Sequence, residues 1–380
     1  MRVLIAPDKF KGSLNASEVS ACIARGFSGA WPEAELTLCP LADGGEGTME
    51  LLVRATGGRT VDCEVTGPLG EKRRAPLGIL GDGTTAVVEM AAASGLALVP
   101  RDSRDPLVTT TAGTGELIRC ALDAGLRRVI VGIGGSATND GGAGMAAALG
   151  ARFLDSSGSD LPPGGGALAG LAALDLSGMD PRLGEAEIIV ASDVANPLLG
   201  EEGASRVYGP QKGADAEAVE RLERGLSRLA EAVESALGRS FAELPGAGAA
   251  GGLGFGLMAF LGAEVRPGIE VVMEAVGFEE KLAGRDLVIT GEGRLDAQTA
   301  HGKTVTGVAR AAARRGIPVL ALGGEVAEGA EKLRELGVTA LMGIARGPMS
   351  LEESMSGAGR LLEACARELA SLLRAMGEVR

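Results

Sequence analysis

The apolar run Leu287-Val-Ile289 ends in Thr290-Gly-Glu-Gly-Arg294-Leu-Asp296-Ala-Gln-Thr-Ala-His-Gly302-Lys303, and a helical pattern follows. A buried strand whose end carries glycines, two carboxylates, an arginine and a lysine is how α/β proteins present charge to a ligand. The chain makes a comparable loop at residues 8–13, 43–47 and 134–144. Acidic side chains suit a magnesium ion, while lysines, arginine and backbone N–H groups suit phosphates. Repetition of such loops points to an enzyme that handles a phosphorylated ligand.

The segments between the loops set the fold class. Residues 3–6 read as a short buried strand, and Asn15-Ala-Ser-Glu18 has capping-box spacing at the start of a helix. Val19, Cys22, Ile23 and Phe27 then recur at helical spacing, Leu36 and Leu38 mark a second strand, and residues 43–47 lead into a helix through Leu51 and Leu52. Such a βαβα start predicts a parallel sheet covered by helices. Near Gly67-Pro-Leu-Gly70 the pattern changes, and residues 75–80 and 85–90 flank Gly81-Asp-Gly83 as a hairpin. A helix at 115–124, strands at 128–133 and 187–191, and a highly charged helix from 215 to about 237 follow, the last read as a solvated face. After Gly284 the βα rhythm returns, with strands at 287–290, 319–322 and 339–344 and a last helix from about 351 to 375. The expected fold is α/β with two α/β domains. A parallel-sheet, flavodoxin- or Rossmann-like domain forms from both chain ends (1–66 and 285–380). A second α/β domain with a hairpin near its start is inserted at 67–284.

Composition narrows the function classes. The chain has 380 residues, 46% hydrophobic but only 2% aromatic, so aliphatic side chains must fill a large core. A net charge of −13 argues against a general nucleic-acid binder. The N-terminal stretch lacks the apolar region of a signal peptide and no apolar run reaches membrane length, so no membrane partner and a cytoplasmic location are expected. Five cysteines without CxxC spacing read as reduced core thiols. His301 is the only histidine and no nucleophile elbow accompanies it, which disfavours a Ser-His-Asp hydrolase.

Each loop has a chemical and a plainer reading. In Asp8-Lys-Phe-Lys-Gly-Ser13 a helix N-terminus, Lys9 and Lys11 favour an anion and Asp8 faces the ligand; otherwise this is an ordinary βα turn. Asp43 and Glu46 could hold magnesium, or could form a helix-capping pair. Gly134-Gly-Ser-Ala-Thr-Asn-Asp-Gly-Gly-Ala-Gly144 could cradle phosphate with its N–H groups, although it is neither a Walker A motif nor a clean dinucleotide fingerprint. Its hydroxyl and acidic groups favour function over a tight turn. Thr109-Thr-Thr-Ala-Gly-Thr-Gly-Glu116 is explained largely by capping, and Ser192-Asp193 is a strand-end carboxylate or a turn. Gly209-Pro-Gln-Lys212-Gly offers a phosphate lysine, with a surface turn as the blander account. Gly251-Gly-Leu-Gly-Phe-Gly256 is a loop or a hinge. Arg294 offers a planar fork to a carboxylate or phosphate, and Asp296 could ligate metal or take a proton; a structural Arg294–Asp296 pair is the alternative.

Taken in order, Ala6-Pro-Asp-Lys-Phe-Lys-Gly-Ser13, Ala42-Asp-Gly-Gly-Glu-Gly-Thr48, Gly134-Gly-Ser-Ala-Thr-Asn-Asp-Gly-Gly142, Ser192-Asp193, Gly209-Pro-Gln-Lys-Gly213 and Thr290-Gly-Glu-Gly-Arg-Leu-Asp296 closely resemble the type-1 glycerate kinase family. The segments span nearly the whole chain, and their joint order is far more specific than any one of them. The resemblance implies ATP-dependent phosphorylation of D-glycerate, dependence on Mg2+, and two α/β domains with the active site in the cleft between them. The bacterial members that the chain most resembles make 2-phosphoglycerate. On this basis Asp8, Lys11, Asp193, Arg294 and Asp296 are candidate catalytic residues. Gly134, Gly135, Ser136, Thr138, Asn139, Asp140 and Lys212 are candidates for binding ATP, and Asp43, Glu46 and Asp193 for the metal. A kinase of another small hydroxy acid, or a non-catalytic sensor of a phosphorylated metabolite, would share these loops. The sequence assigns no oligomeric state.

Overall fold

In the computed structural model, residues 1–300 and 304–378 are described; His301 and Lys303 of the 290–303 segment lie outside the described residues. The strands, in chain order, are β1 (Arg2–Ile5), β2 (Glu35–Leu38), β3 (Arg59–Thr66), β4 (Lys72–Ile79), β5 (Thr85–Glu89), β6 (Arg128–Gly132), β7 (Arg152–Leu154), β8 (Ala173–Asp175), β9 (Glu187–Ala191), β10 (Glu264–Arg266), β11 (Leu287–Leu295), β12 (Val319–Val326) and β13 (Ala340–Gly343). The chain divides into two compact units. A terminal unit joins Met1–Asp43 to Ile269–Arg380, and a central unit is Gly44–Gly268.

The terminal unit is built on a five-stranded sheet of order β13-β12-β11-β1-β2 in which every neighbouring pair is parallel. In the order this unit lays its strands down, that is 2-1-3-4-5, the flavodoxin-like arrangement, whose ligand crevice lies where the order reverses, at the carboxyl ends of the first and third strands. Here those strands are β1 and β11. The helix Ala16–Ala30 starts on the expected Asn15–Glu18 capping box. Its Val19, Ile23 and Phe27 join Leu362, Ala366 and Leu369 of the helix Ala358–Glu378 in one core cluster over the sheet. Gly26 is required there, because a Cβ would stand 2.0 Å from the Glu363 carbonyl oxygen. The expected last helix is broken at Gly357, into Leu351–Ser356 and Ala358–Glu378.

The central unit carries a mixed six-stranded sheet, β10-β9-β6-β5-β4-β3, parallel from β10 to β5 and antiparallel from β5 to β3. The strand β3 falls inside the stretch 1–66 that the sequence reading gave to the first domain, yet it pairs with β4 along its whole length. The Gly67-Pro-Leu-Gly70 turn closes a hairpin, with Gly70 at φ 89°, and so does not end a domain. At the other end, Ile269 packs against Gly307, and Glu279 pairs with Arg314 and Arg315 at 3.0 and 2.7 Å. The crossings therefore fall at 43/44 and 268/269, ahead of 66/67 and 284/285.

The charged helix Ala216–Leu237 has the expected solvated face, but it also buries Leu222, Leu226, Leu229 and Val233. At roughly 1.5–3 kcal/mol for each fully buried aliphatic side chain, against a few tenths for an exposed ion pair, the apolar face holds it in place. The segment 251–256, expected as a loop or hinge, is buried throughout: Gly251 and Gly252, at φ 69° and 85°, form a non-helical kink near the start of the helix Ala249–Leu261, and residues 253–256 continue that helix. All five cysteines are free, as expected. Among the described residues no helix is long and apolar enough to cross a membrane.

Candidate active site

In the terminal unit the pairing of β1 with β11 continues past the strand, and the Asp8 amide donates to the Gly291 carbonyl at 2.8 Å. This fixes Asp8 at the switch point of the sheet, where it is only 4% exposed. One carboxylate oxygen accepts the Lys9 amide at 2.6 Å and the other accepts the Thr304 hydroxyl. Burial pushes the Asp8 carboxyl up to about 6; the Thr304 hydroxyl opposes the rise and the nearby Asp43 charge adds to it. Lys11 is exposed and Lys9 half-buried. The helix behind them supplies its own acceptors through Asn15 and Glu18, so the two lysines carry most of the positive character of this turn.

The segment expected as a loop after Ile289 is instead strand. β11 runs to Leu295 and pairs Arg294 with Glu325 of β12. Gly293 lets β11 pass the Lys11 backbone, since a Cβ there would lie 3.3 Å from the Lys11 nitrogen. The Arg294 side chain is 60% exposed and meets Asp296 at 3.3 Å and Glu325 at 3.6 Å, both through Nε. Asp296 also accepts the Gln298 amide at 2.8 Å and so opens the turn Ala297–Ala300. The structural pair posed as the alternative thus exists, although exposed pairs of this kind contribute little stability.

In the central unit the carboxyl ends of the parallel strands β5, β6 and β9 gather Glu89, Gly134 and Asp193. The turn 44–47 lies over them. A Cβ on Gly132 would be 3.1 Å from the Gly44 carbonyl oxygen, and one on Gly44 would be 3.3 Å from the Ala191 Cβ. The helix Thr48–Thr56 is capped by Gly47 at φ 88°, not by Asp43. Its N-terminal amides turn to Glu89, whose carboxylate accepts the Met49 amide at 2.9 Å. Burial raises the Glu89 pKa, the amides of Met49 and Gly47 lower it, and the charge of Glu46 raises it. This helix end is therefore already filled by a carboxylate. Glu46 itself is exposed, as is Asp193, which accepts the Gly268 amide at 3.2 Å.

Only Gly134 and Gly135 of the glycine loop are exposed; Ser136, Thr138, Asn139 and Asp140 are buried. Of the polar groups that suggested ligand contact, the Asp140 carboxylate braces the loop from within. Asp140 accepts the Thr111 amide at 2.8 Å, the Thr111 hydroxyl at 2.9 Å, and the Gly142 and Gly144 amides at 3.2 Å each. Thr111 thus serves Asp140; it is the N-cap of the helix Ala112–Asp123 but makes no side-chain capping bond. Lys212, offered as a phosphate lysine or else part of a surface turn, is 1% exposed and donates Nζ to the Thr138 carbonyl at 2.7 Å.

Four residues join these sites that the sequence reading did not single out: Thr304, Glu89, Glu325 and, as a partner of Asp140, Thr111. A signal existed for Glu325, because Gly323-Gly-Glu325 follows an apolar run as Gly291-Glu-Gly293 does. Among the described residues, no group of three or more His, Cys, Asp and Glu side chains comes together as a cation cage. Magnesium requires less than a cage: one or two carboxylates with waters and phosphate oxygens suffice, and the hard oxygen donors present fit that demand.

Comparison with known proteins identifies the family. The glycerate kinase family model matches residues 3–374. The chain is 53% identical to a glycerate kinase of Bacillus subtilis and 49% identical to a glycerate 2-kinase of Escherichia coli, in each case over 98% of both chains. A crystal structure from Salmonella typhimurium LT2, of a provisionally named glycerate kinase 2, superposes with a TM-score of 0.91 at 50% identity, covering 100% of this chain and 99% of that one. With strand-end carboxylates, exposed basic groups and a backbone-presenting glycine loop in the matching segments, the chain belongs to the glycerate kinase family.

Proposed function

We propose that the protein transfers the γ-phosphoryl group of ATP to the C2 hydroxyl of D-glycerate, releasing 2-phosphoglycerate and ADP. The observation that carries this reading is Asp8, a carboxylate buried at the switch point of a parallel sheet and pushed up to about 6. A base of that strength suits proton abstraction from an alcohol near neutral pH. The hydroxyl proton passes to Asp8, the hydroxyl oxygen forms the new bond to the γ-phosphorus, and the bond from that phosphorus to the bridging oxygen of ADP breaks. Arg294, Lys9 and Lys11 would hold the glycerate carboxylate, and the backbone at Gly134 and Gly135 would face the nucleotide phosphates. Magnesium would shield phosphate charge, with Asp43, Glu46 and Asp193 as the carboxylates proposed to hold it. The C2 position is supported by the relative named glycerate 2-kinase.

Incubation with ATP, magnesium and D-glycerate, followed by NMR assignment of the phosphorylated carbon, tests the reading. Phosphorus coupled to the C2 proton is expected. Phosphate on C3 would overturn the position, and turnover of a different hydroxy acid with none on D-glycerate would overturn the substrate. At Arg294, replacement by Lys keeps the charge and loses the fork, so the glycerate KM should rise by about tenfold with kcat nearly unchanged. Asp296→Asn, if Asp296 serves the reaction, should lower kcat by roughly 10²-fold. Steady-state kinetics beside melting curves separate this from the plainer account, in which both variants lose thermal stability and neither has a selective kinetic defect.

A further inference from the structure

We infer that Lys212 is a positioning residue: its enclosed ammonium pins the backbone of the glycine loop at Thr138 in the form that receives the nucleotide, and touches no phosphate itself. The inference rests on the proposed nucleotide role of that loop. Lys212 closes the short turn Pro210–Lys212, and the next residue, Gly213, has φ 103° with the Arg104 carbonyl 2.3 Å from where a Cβ would be. The start of the side chain is thereby fixed by packing. Its far end is fixed by the 2.7 Å bond from Nζ to the Thr138 carbonyl.

A buried ammonium is costly unless it is paired and hydrogen-bonded. Desolvation draws the Lys212 pKa down to about 7, and the charge of Asp140 opposes that fall. Asp140 is in turn immobilised by Thr111, Gly142 and Gly144. Lys212 and Asp140 thus grip the same loop two residues apart. Within that grip the Thr138 hydroxyl and both amide atoms of Asn139 are buried without a hydrogen-bond partner among the described residues, so their side chains do not fix the segment. Backbone closes in on the segment at Gly251, where a Cβ would lie 2.0 Å from the Thr138 oxygen, and at Gly165, where one would lie 2.1 Å from the Asn139 oxygen. A side chain enclosed in this way acts on a ligand at the exposed Gly134 and Gly135 only through the loop.

Lys212→Met and Lys212→Gln test this, the second retaining a neutral donor. In nucleotide-free protein, amide hydrogen exchange across residues 134–144 should accelerate by about tenfold or more in Lys212→Met, the scale of a lost charge-assisted bond, and less in Lys212→Gln. Exchange in β1 and β11 should not change. Calorimetry should show ADP and ATP weakened by the same factor, with the ATP KM raised and the glycerate KM unaltered. Unchanged loop exchange overturns the pin. A loss of affinity that grows from ADP to ATP overturns it too, because a direct phosphate contact would then be at work. If the wild-type protein binds neither nucleotide, the ATP reading falls, and loop exchange alone decides whether Lys212 holds the loop.

Discussion

Asp8→Asn is expected to cut turnover by roughly 10²–10⁴-fold, the usual contribution of a general base, and yet to make the metal-free protein more stable at pH 7. The second half follows from linkage. The Asp8 pKa rises from 3.8 to about 6 on folding, so between those values the folded state holds more protons than the unfolded one. Stability then falls as pH rises through that window, and the full penalty, about 3 kcal/mol for a shift of roughly two units, applies above it. Asparagine has no charge to bury. Its one carbonyl oxygen cannot serve both the Lys9 amide and the Thr304 hydroxyl, which costs about 1 kcal/mol, leaving a net gain of about 1–2 kcal/mol. Melting curves from pH 4 to 8 on both proteins check this: wild type should lose stability relative to the variant as pH rises. A variant that is less stable at pH 7 would mark Asp8 as a structural anchor instead.

Gly251→Ala should have the largest effect on stability. Gly251 has φ 69°, and the new methyl carbon would lie 2.0 Å from the Thr138 oxygen and 2.8 Å from the Asn139 Cα. Both obstacles are backbone, so no rotamer change relieves them. Left-handed strain adds about 1 kcal/mol to an overpacking cost of about 1–3 kcal/mol, for a total of roughly 2–4 kcal/mol. Gly47→Ala is the control, since its φ of 88° carries the same strain with nothing within 4 Å of the added carbon. Chemical denaturation of both variants should show Gly251→Ala losing clearly more. Equal losses would mean that strain alone matters and that the loop tolerates displacement.

The parts of the fold that were legible in the sequence are those set by neighbours along the chain. The Asn15–Glu18 capping box, the one-sided pattern of Val19, Ile23 and Phe27, and the short apolar runs at β1, β6, β9 and β12 are local. Each formed as expected because a helix cap or a strand face is decided within a few residues. The order of the charged loops along the chain, and the family it implied, were equally legible. The break in pattern at Gly67–Gly70 was visible too, but that it closes a hairpin and does not end a domain depended on β4 pairing with β3.

What the tertiary structure alone decided is which polar groups face inward. Lys212 has nothing in its own neighbourhood to mark it as buried, and the apolar run around Gly251 does not say what it packs against. They become the walls of the Thr138 segment because chain 74 residues away from Lys212 folds back onto them. Asp8 likewise reads as a strand-end acid, and only its enclosure by Thr304, 296 residues distant, and the approach of Asp43 give it the affinity for a proton that a base requires. A sequence records which groups can ionise; their desolvation and their partners, which set their chemistry, are properties of packing between distant segments.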